Sequence, residues 1–105
     1  MGTRTPRSVG AGLPEYRIFE TTTFERDLRR LGASAAKRLR AALATRFYAI
    51  LRVSPRQVPS AARLRDWEPP TWRIRIGSWR VFYEIDDRSG VVFLTAVEHR
   101  KDAYR

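Results

Sequence analysis

The spacing of hydrophobic residues changes once along the chain, from a helical period to a strand period. Before Pro55, apolar residues recur every three or four positions, which is the spacing of an amphipathic helix. From Trp72 onward they recur at every second position, which is the spacing of a strand with one buried face. The first half of the chain therefore predicts helices, and the second half predicts an antiparallel sheet.

One strand and two helices are predicted before Pro55. Residues 16–20 are rich in aromatic and β-branched side chains and predict a short strand, and residues 22–25 (Thr-Thr-Phe-Glu) form a capping box that starts a helix. Gly32 stands where a glycine would end that helix. A second helix follows Ser34 and ends before the proline, so the two helices should form a hairpin. Its apolar stripe consists of Leu39, Leu43, Phe47 and Ile50.

The rest of the chain predicts a loop followed by three strands. Prolines interrupt residues 56–70, which we interpret as loop. Two alternating runs then flank Gly77-Ser78, a two-residue hairpin signal with glycine in the first position of a type II′ turn. Residues 91–97 are nearly all apolar and predict a strand buried on both faces. The order β-α-α-β-β-β predicts an α+β fold, an antiparallel sheet of about four strands with a two-helix hairpin packed on one face.

The tight turn also predicts which side chains of the hairpin share a face. It places Arg75 opposite Arg80 and Arg73 opposite Phe82, on the face that does not carry the apolar residues. Like charges directly opposite each other destabilise a strand pair by roughly 0.2–1 kcal/mol, so an anion should compensate them. Glu84 is one candidate, and an RNA backbone with a base stacked on Phe82 is another. A solvated outer face of the sheet remains the alternative.

Composition limits the class of protein and of chemistry. With 105 residues there is room for one domain, which we place at residues 15–105 after a flexible N-terminal tail at residues 1–14. The 21 basic and 11 acidic residues give a net charge of +10, which indicates a nucleic acid or an acidic protein as partner. The absence of cysteine and the single histidine exclude a disulfide framework and a thiolate or histidine-rich metal site. Without an apolar run of signal or membrane length, the expected compartment is the cytoplasm.

Three segments of the chain resemble the RelE family within the RelE/ParE toxin superfamily. These are Leu64-Arg65-Asp66, the hairpin strands WRIRI and WRVFYEI, and the ending VEHRKDAYR. The family carries an L-[KR]-G element, a basic-x-basic strand, a [YW]-R-[VL]-x-Y strand and an ending close to H-R-x-x-x-Y. The resemblance covers residues 16–105. It implies a bacterial type II toxin that cuts mRNA in the ribosomal A site, by attack of the ribose 2′-hydroxyl, without a metal ion or other cofactor.

The resemblance also implies roles for the basic residues and for the last tyrosine. Arg73 and Arg75 match the pair that contacts and polarises the RNA, and Arg80 matches the arginine that stabilises the pentavalent phosphorane. Arg100 matches the residue that assists the leaving group, and Tyr104 matches the tyrosine that orients the substrate and stacks on a base. These five residues are the main catalytic candidates.

Further candidates are Arg65, for RNA binding, and an acid–base pair. Some relatives use a glutamate just after the L-x-G element as base and a late histidine as acid, and Glu68 and His99 are the nearest matches. The chain departs from the family pattern where Asp66 stands in place of the favoured glycine, and Trp67 displaces the glutamate by one position.

The resemblance implies one partner and leaves two other functions open. The partner is a cognate antitoxin, acidic at least in part, which would fold around the basic surface. One alternative is a ParE-like inhibitor of DNA gyrase with the same fold. The other is an RNA-binding module without catalytic activity, since no general base is evident from the residues alone.

Overall fold

A computed structural model describes residues 15–99, which form one five-stranded sheet with helices over one face. The α+β class and the helical layer on one face are therefore confirmed. The expected tail at residues 1–14, Arg100 and Tyr104 lie outside the described residues. The elements are β1 (Arg17–Glu20), α1 (Thr22–Leu31), α2 (Ala33–Ala42), a π-helical segment (Leu43–Phe47), α3 (Tyr48–Val53), β2 (Ala61–Arg63), β3 (Trp72–Ile76), β4 (Trp79–Asp86) and β5 (Val91–His99).

The sheet has the strand order β1-β5-β4-β3-β2. β1 pairs in parallel with β5, and the other three pairs are antiparallel. The sheet thus has one strand more than the about four predicted, and one of its pairs is parallel where the prediction had only antiparallel pairs. The additional strand, β2, lies in the segment that was predicted to be loop. Its three residues, Ala-Ala-Arg, have neither the alternation nor the β-branched side chains that signal a strand.

Alternate residues of the sheet form the core together with the helices. The hairpin contributes four buried residues at alternate positions, and β5 contributes a further apolar set from the neighbouring strand. A leucine or phenylalanine buried in this way stabilises the fold by roughly 1.5–3 kcal/mol relative to an exposed one. The buried apolar cluster includes Ile74, Ile76, Val81, Tyr83, Val92, Leu94 and Val97 from the sheet, and Phe24, Leu28, Leu39, Leu43, Phe47 and Leu51 from the helices.

The cap of α1 lies one residue before its predicted position. The side chain of Thr21 accepts a 3.2 Å hydrogen bond from the N–H of Phe24, and its hydroxyl donates to the Leu94 carbonyl oxygen at 2.9 Å. The capping box predicted over residues 22–25 was therefore wrong. Thr21 is preferred because one hydroxyl both caps the helix and binds β5, a contact that local sequence does not reveal.

The helical hairpin turns at a single residue, Gly32, which has φ of 96°. Glycine tolerates this conformation because it has no Cβ. The second helix starts at Ala33 rather than after Ser34, and its stripe ends in Leu51 rather than Ile50. Residues spaced four apart drift by about 40° per step on a regular helix. The wider π-helical turn adds a residue and keeps Leu39, Leu43, Phe47 and Leu51 on the buried side.

The predicted register of the β3–β4 hairpin is confirmed. Arg75 pairs with Arg80, and Arg73 pairs with Phe82. At the turn, Gly77 has φ of 59° and Ser78 is not among the residues with positive φ, as a type II′ turn requires. The register follows from the turn length because the side chains of a strand alternate strictly between its two faces.

Candidate functional site

Three arginines share the face of the sheet that points away from the helices. We call Arg73, Arg75, Arg80 and Phe82 the arginine face. The residues that alternate with them, such as Ile74 and Val81, belong to the core, so the arginine stems project from the opposite side. The structure therefore brings together the basic pair of β3 and the arginine of β4, as the sequence predicts.

The three arginines differ in their exposure. Arg80 is only 7% exposed, Arg73 is half-buried and Arg75 is exposed. A packed guanidinium on a rigid strand loses little conformational freedom when it binds a phosphate, whereas an exposed one can reach toward an approaching chain. The arrangement thus combines a fixed positive charge with an accessible one, which suits recognition of a phosphodiester.

The register places an acidic residue beside Arg80, and it is not the one that we considered from sequence. Glu98 is the cross-strand partner of Arg80 on β5, whereas Glu84 is the partner of Phe93 further along the sheet. Glu84 lines a notch of about 400 Å³ together with Arg56 and other residues near the ends of β2 and β3. Burial raises the pKa of the Glu84 carboxyl above its ordinary value. Glu98, rather than Glu84, is therefore the acidic residue that the register places directly across from an arginine of this face.

An aromatic residue that was not among the predicted site residues covers the arginine face at Phe82. The indole of Trp67 stacks on the Phe82 ring, with 5.7 Å between ring centroids and 15° between ring planes. Phe82 is 6% exposed, whereas Trp67 is 48% exposed. The structure therefore does not leave Phe82 open to a base, as the sequence analysis expected, and Trp67 forms the outer aromatic surface instead. No spacing rule could reveal this contact, because Trp67 lies in a loop.

The loop that carries Trp67 is closed at its base by two hydrogen bonds. The N–H of Leu64 donates to the Thr71 carbonyl oxygen at 2.8 Å, and the hydroxyl of buried Thr71 donates to the Pro69 carbonyl oxygen at 2.9 Å. Asp66 has φ of 63°, in the left-handed region where the RelE pattern has glycine. Aspartate is one of the few other residues that tolerate this conformation, so the departure from the pattern preserves the shape of the turn.

Two predicted site residues, Arg65 and Glu68, are exposed in the same loop. Glu68 directly follows Trp67, and so it belongs to the segment that crosses over Phe82, and a cis peptide bond joins it to Pro69. The loop therefore carries an arginine and two carboxylates, those of Asp66 and Glu68, in the segment that contacts the arginine face through Trp67. The roles of Glu68 in catalysis and of Arg65 in RNA binding stay predictions.

His99 is placed on the other side of the sheet from the arginines. It is the cross-strand partner of Trp79, and the two rings meet edge to face with 6.0 Å between centroids. Trp79 packs against the core, so the register assigns His99 to the helical side. The structure does not bring His99 together with Arg80, and its role as a general acid stays a prediction.

Over residues 15–99, no group of three or more histidine, cysteine or acidic residues is arranged to hold a metal ion. Within the same range no helix is both long and apolar enough to cross a membrane.

Comparison with known proteins identifies relatives of one kind. A family model described as "ParE toxin of type II toxin-antitoxin system, parDE" matches residues 18–104. The chain is similar to Toxin RelG of Mycobacterium tuberculosis, with 34% identity over 90 residues, which cover 86% of this chain and 97% of the relative.

Solved structures with the same fold include two toxin–antitoxin complexes. The RelBE2 complex from Mycobacterium tuberculosis matches with a TM-score of 0.65 and 27% identity, over 84% of this chain and 100% of the matched chain. The intact Escherichia coli RelBE complex matches with a TM-score of 0.58 and 26% identity, over 80% of this chain and 95% of the matched chain.

Proposed function

Because this chain belongs to the RelE/ParE superfamily of type II toxins, we propose that it is an endoribonuclease that cleaves mRNA on the ribosome. The observation that carries the proposal is the pairing of Arg75 with Arg80 on the open face of the sheet. A phosphodiester bound across these two adjacent like charges would offset their repulsion.

The proposed reaction is a transfer of the phosphoryl group within the RNA. The 2′-oxygen of the ribose forms a bond to the adjacent phosphorus, and the bond from phosphorus to the 5′-oxygen breaks. The 2′-hydroxyl loses its proton to a base, and the departing 5′-oxygen gains a proton. The products are a 2′,3′-cyclic phosphate and a 5′-hydroxyl, and no metal ion takes part.

The arginine face supports the charge-stabilising part of this reaction. The pentavalent phosphorane carries more negative charge than the phosphodiester, so fixed guanidinium groups bind it more tightly than the ground state. We assign this role to Arg80, with Arg75 and Arg73 holding the RNA. We assign proton removal to Glu68, which lies in the loop above the same face. The roles of Arg100 in leaving-group assistance, Tyr104 in base stacking and His99 as general acid are carried over from the family resemblance.

Translation in a purified system tests the proposal. We expect the wild-type chain to cut ribosome-bound mRNA at discrete positions and Arg75→Ala to cut it at least tenfold more slowly, about 1.4 kcal/mol of lost transition-state stabilisation. Arg75 is exposed, so its removal should leave the fold intact. Arg38→Ala is the matched control: it removes the same charge from the exposed surface of α2, where Arg38 bonds only to Ser34 among the described hydrogen bonds.

The products are read by mapping RNA ends and by detecting the cyclic phosphate. Intact mRNA together with full translation would contradict the enzyme proposal. RNA binding that falls steeply with salt, without any cleavage on ribosomes, would favour the non-catalytic module instead.

Inhibition of DNA gyrase is the second candidate, and the family model described as a ParE toxin favours it. The arginine face argues for RNA over gyrase, because a protein target does not require paired guanidinium groups on an open strand pair. A supercoiling assay with purified gyrase distinguishes the two. If the protein inhibits supercoiling by gyrase and leaves mRNA uncut in the translation assay, it is a gyrase inhibitor.

We further propose a cognate antitoxin as the physiological partner. The two solved structures described above are toxin–antitoxin complexes. A net charge of +10 favours a partner with an acidic segment that folds as it binds. We propose the bacterial cytoplasm as its compartment, because the proposed mRNA substrate is translated there.

A further inference from the structure

We propose that Trp67 is a nucleobase-stacking residue, whose open indole face holds a base next to the phosphate bound by the arginine face. The inference rests on the proposed function, because it takes single-stranded RNA as the ligand. It adds a binding residue that lies outside the set implied by the family resemblance.

The exposure of Trp67 is the first observation. Within residues 15–99 the large apolar side chains that remain exposed are Phe19, Val53 and Trp67. Phe19 lies on β1, an edge strand that β5 and β4 separate from β3. Val53 is the last residue of α3. Trp67 is therefore the one of these three that lies against the arginine face.

The position of the indole is the second observation. One face of the Trp67 ring rests on Phe82, nearly parallel to it, and Trp67 remains 48% exposed. Phe82 is the direct cross-strand partner of Arg73, and the Arg75–Arg80 pair is the next one on the same face. Direct and diagonal neighbours in such a pair have side chains about 5–8 Å apart. A base on the open indole face would thus lie within one nucleotide of the guanidinium groups.

The support of the ring is the third observation. Phe82 is buried and forms a rigid base beneath the indole, and the loop carrying Trp67 is closed by the hydrogen bonds of Thr71. A tryptophan has few rotatable bonds, so a ring that is already held in place loses little conformational freedom on binding. If Trp67 served only to cover Phe82, its outer face would have no role.

The combination matches the physical chemistry of single-strand recognition. Proteins that bind single-stranded RNA pair a basic track for the backbone with aromatic rings on which bases stack. Removing such a ring lowers affinity by roughly tenfold to a hundredfold, with little dependence on which base it contacts. Trp67 should therefore contribute to affinity for RNA without imposing a strong sequence preference.

The test is RNA binding by the full chain, measured by fluorescence anisotropy. The probe is a short single-stranded RNA with 2′-O-methyl groups, which cannot be cut, and a series of the same RNA with one abasic position at a time. We expect Trp67→Ala to weaken binding of the intact RNA by roughly tenfold and Trp67→Phe to retain most of the affinity. Phe19→Ala is the matched control, since it removes a similarly exposed ring from the far edge of the sheet, and it should leave the affinity unchanged.

The abasic series separates stacking from a structural role. With the abasic RNA that lacks the stacked base, wild type and Trp67→Ala should bind equally. The inference is overturned if Trp67→Ala binds intact RNA as the wild type does, if it weakens every abasic RNA to the same degree, or if the wild type binds no RNA.

The two proposals fail in different ways. A chain that cleaves mRNA but shows no dependence on the base at Trp67 contradicts only the stacking inference. A chain that binds RNA through Trp67 yet cuts no mRNA contradicts only the enzyme.

Discussion

The hydroxyl of Tyr83 is a polar group held inside the hydrophobic core. It donates a 2.7 Å hydrogen bond to the carbonyl oxygen of Pro55, just after α3. Burial raises the pKa of Tyr83 well above its ordinary range, and the nearby charge of Arg56 lowers it by less. The neutral hydroxyl therefore ties the middle of β4 to the end of the helical layer.

Burial of this hydroxyl predicts a loss of stability in alkali. The unfolded chain releases the Tyr83 proton near pH 10, whereas the folded chain retains it, so the free energy of unfolding should fall as the pH rises above about 10. Tyr83→Phe should reduce this fall. Because the substitution removes the hydrogen bond, it should also lower the free energy of unfolding at neutral pH by about 1 kcal/mol. Urea unfolding at several pH values measures both effects.

Tyr48→Phe is the comparison for that measurement. Tyr48 is half-buried and burial also raises its pKa, so its removal should reduce the alkaline fall by less. If the free energy of unfolding falls by the same amount in alkali for the wild type and for Tyr83→Phe, Tyr83 is not the cause of the fall.

A single carboxylate joins the helical layer to the sheet at the scale of whole elements. Asp27 of α1 is buried, and one of its oxygens accepts a 2.9 Å hydrogen bond from the N–H of Val97 in β5. Its other oxygen accepts from Arg30 at 3.2 Å. Val97 directly precedes Glu98, the partner of Arg80, so this contact also positions the strand beside the arginine face.

We expect Asp27→Ala to destabilise the protein by about 1–3 kcal/mol, because the buried N–H of Val97 would lose its acceptor. Arg30→Ala should change stability by less than about 0.5 kcal/mol, since that side chain is 69% exposed and its ion pair lies near the surface. Denaturant unfolding compares the two variants. Equal losses for both would show that the contact with Val97 contributes little.

Elements whose geometry is set by nearby residues could be predicted from sequence. The hairpin register followed from the Gly77-Ser78 turn and strict alternation, and it placed Arg73, Arg75 and Arg80 on one face. Features that depend on distant contacts could not be predicted. Thr21 caps α1 because its hydroxyl also bonds to β5, and Trp67 joins the arginine face only because its loop folds back over Phe82.

At the scale of the whole molecule, the excess of positive charge predicts that the proposed binding of RNA depends on salt. For single-stranded nucleic acid, the logarithm of the binding constant falls with the logarithm of salt concentration by about 0.7 for each phosphate contacted. We expect Arg75→Ala to reduce this slope by about 0.7. Trp67→Ala should lower the affinity at every salt concentration without changing the slope, because a stacked ring releases no counterions.

Titrations of RNA at several salt concentrations provide the measurement, with Arg38→Ala as the control for the general charge of +10. If Arg75→Ala and Arg38→Ala reduce the slope equally, RNA binding depends only on the net charge of the protein and not on a specific contact with Arg75. A slope reduced by the arginine-face variant alone would identify a direct phosphate contact.

The parallel pairing of β1 with β5 has a consequence for how the protein is made. Arg17 lies beside Val91, so β1 has no partner strand until β5 has been synthesised. The same late strand supplies the partner of β4 and the acceptor side of the Thr21 cap. A product truncated before Val91 would leave two strands with unsatisfied edges and a poorly anchored helix. The chain must therefore be synthesised through β5 before it can acquire its native sheet.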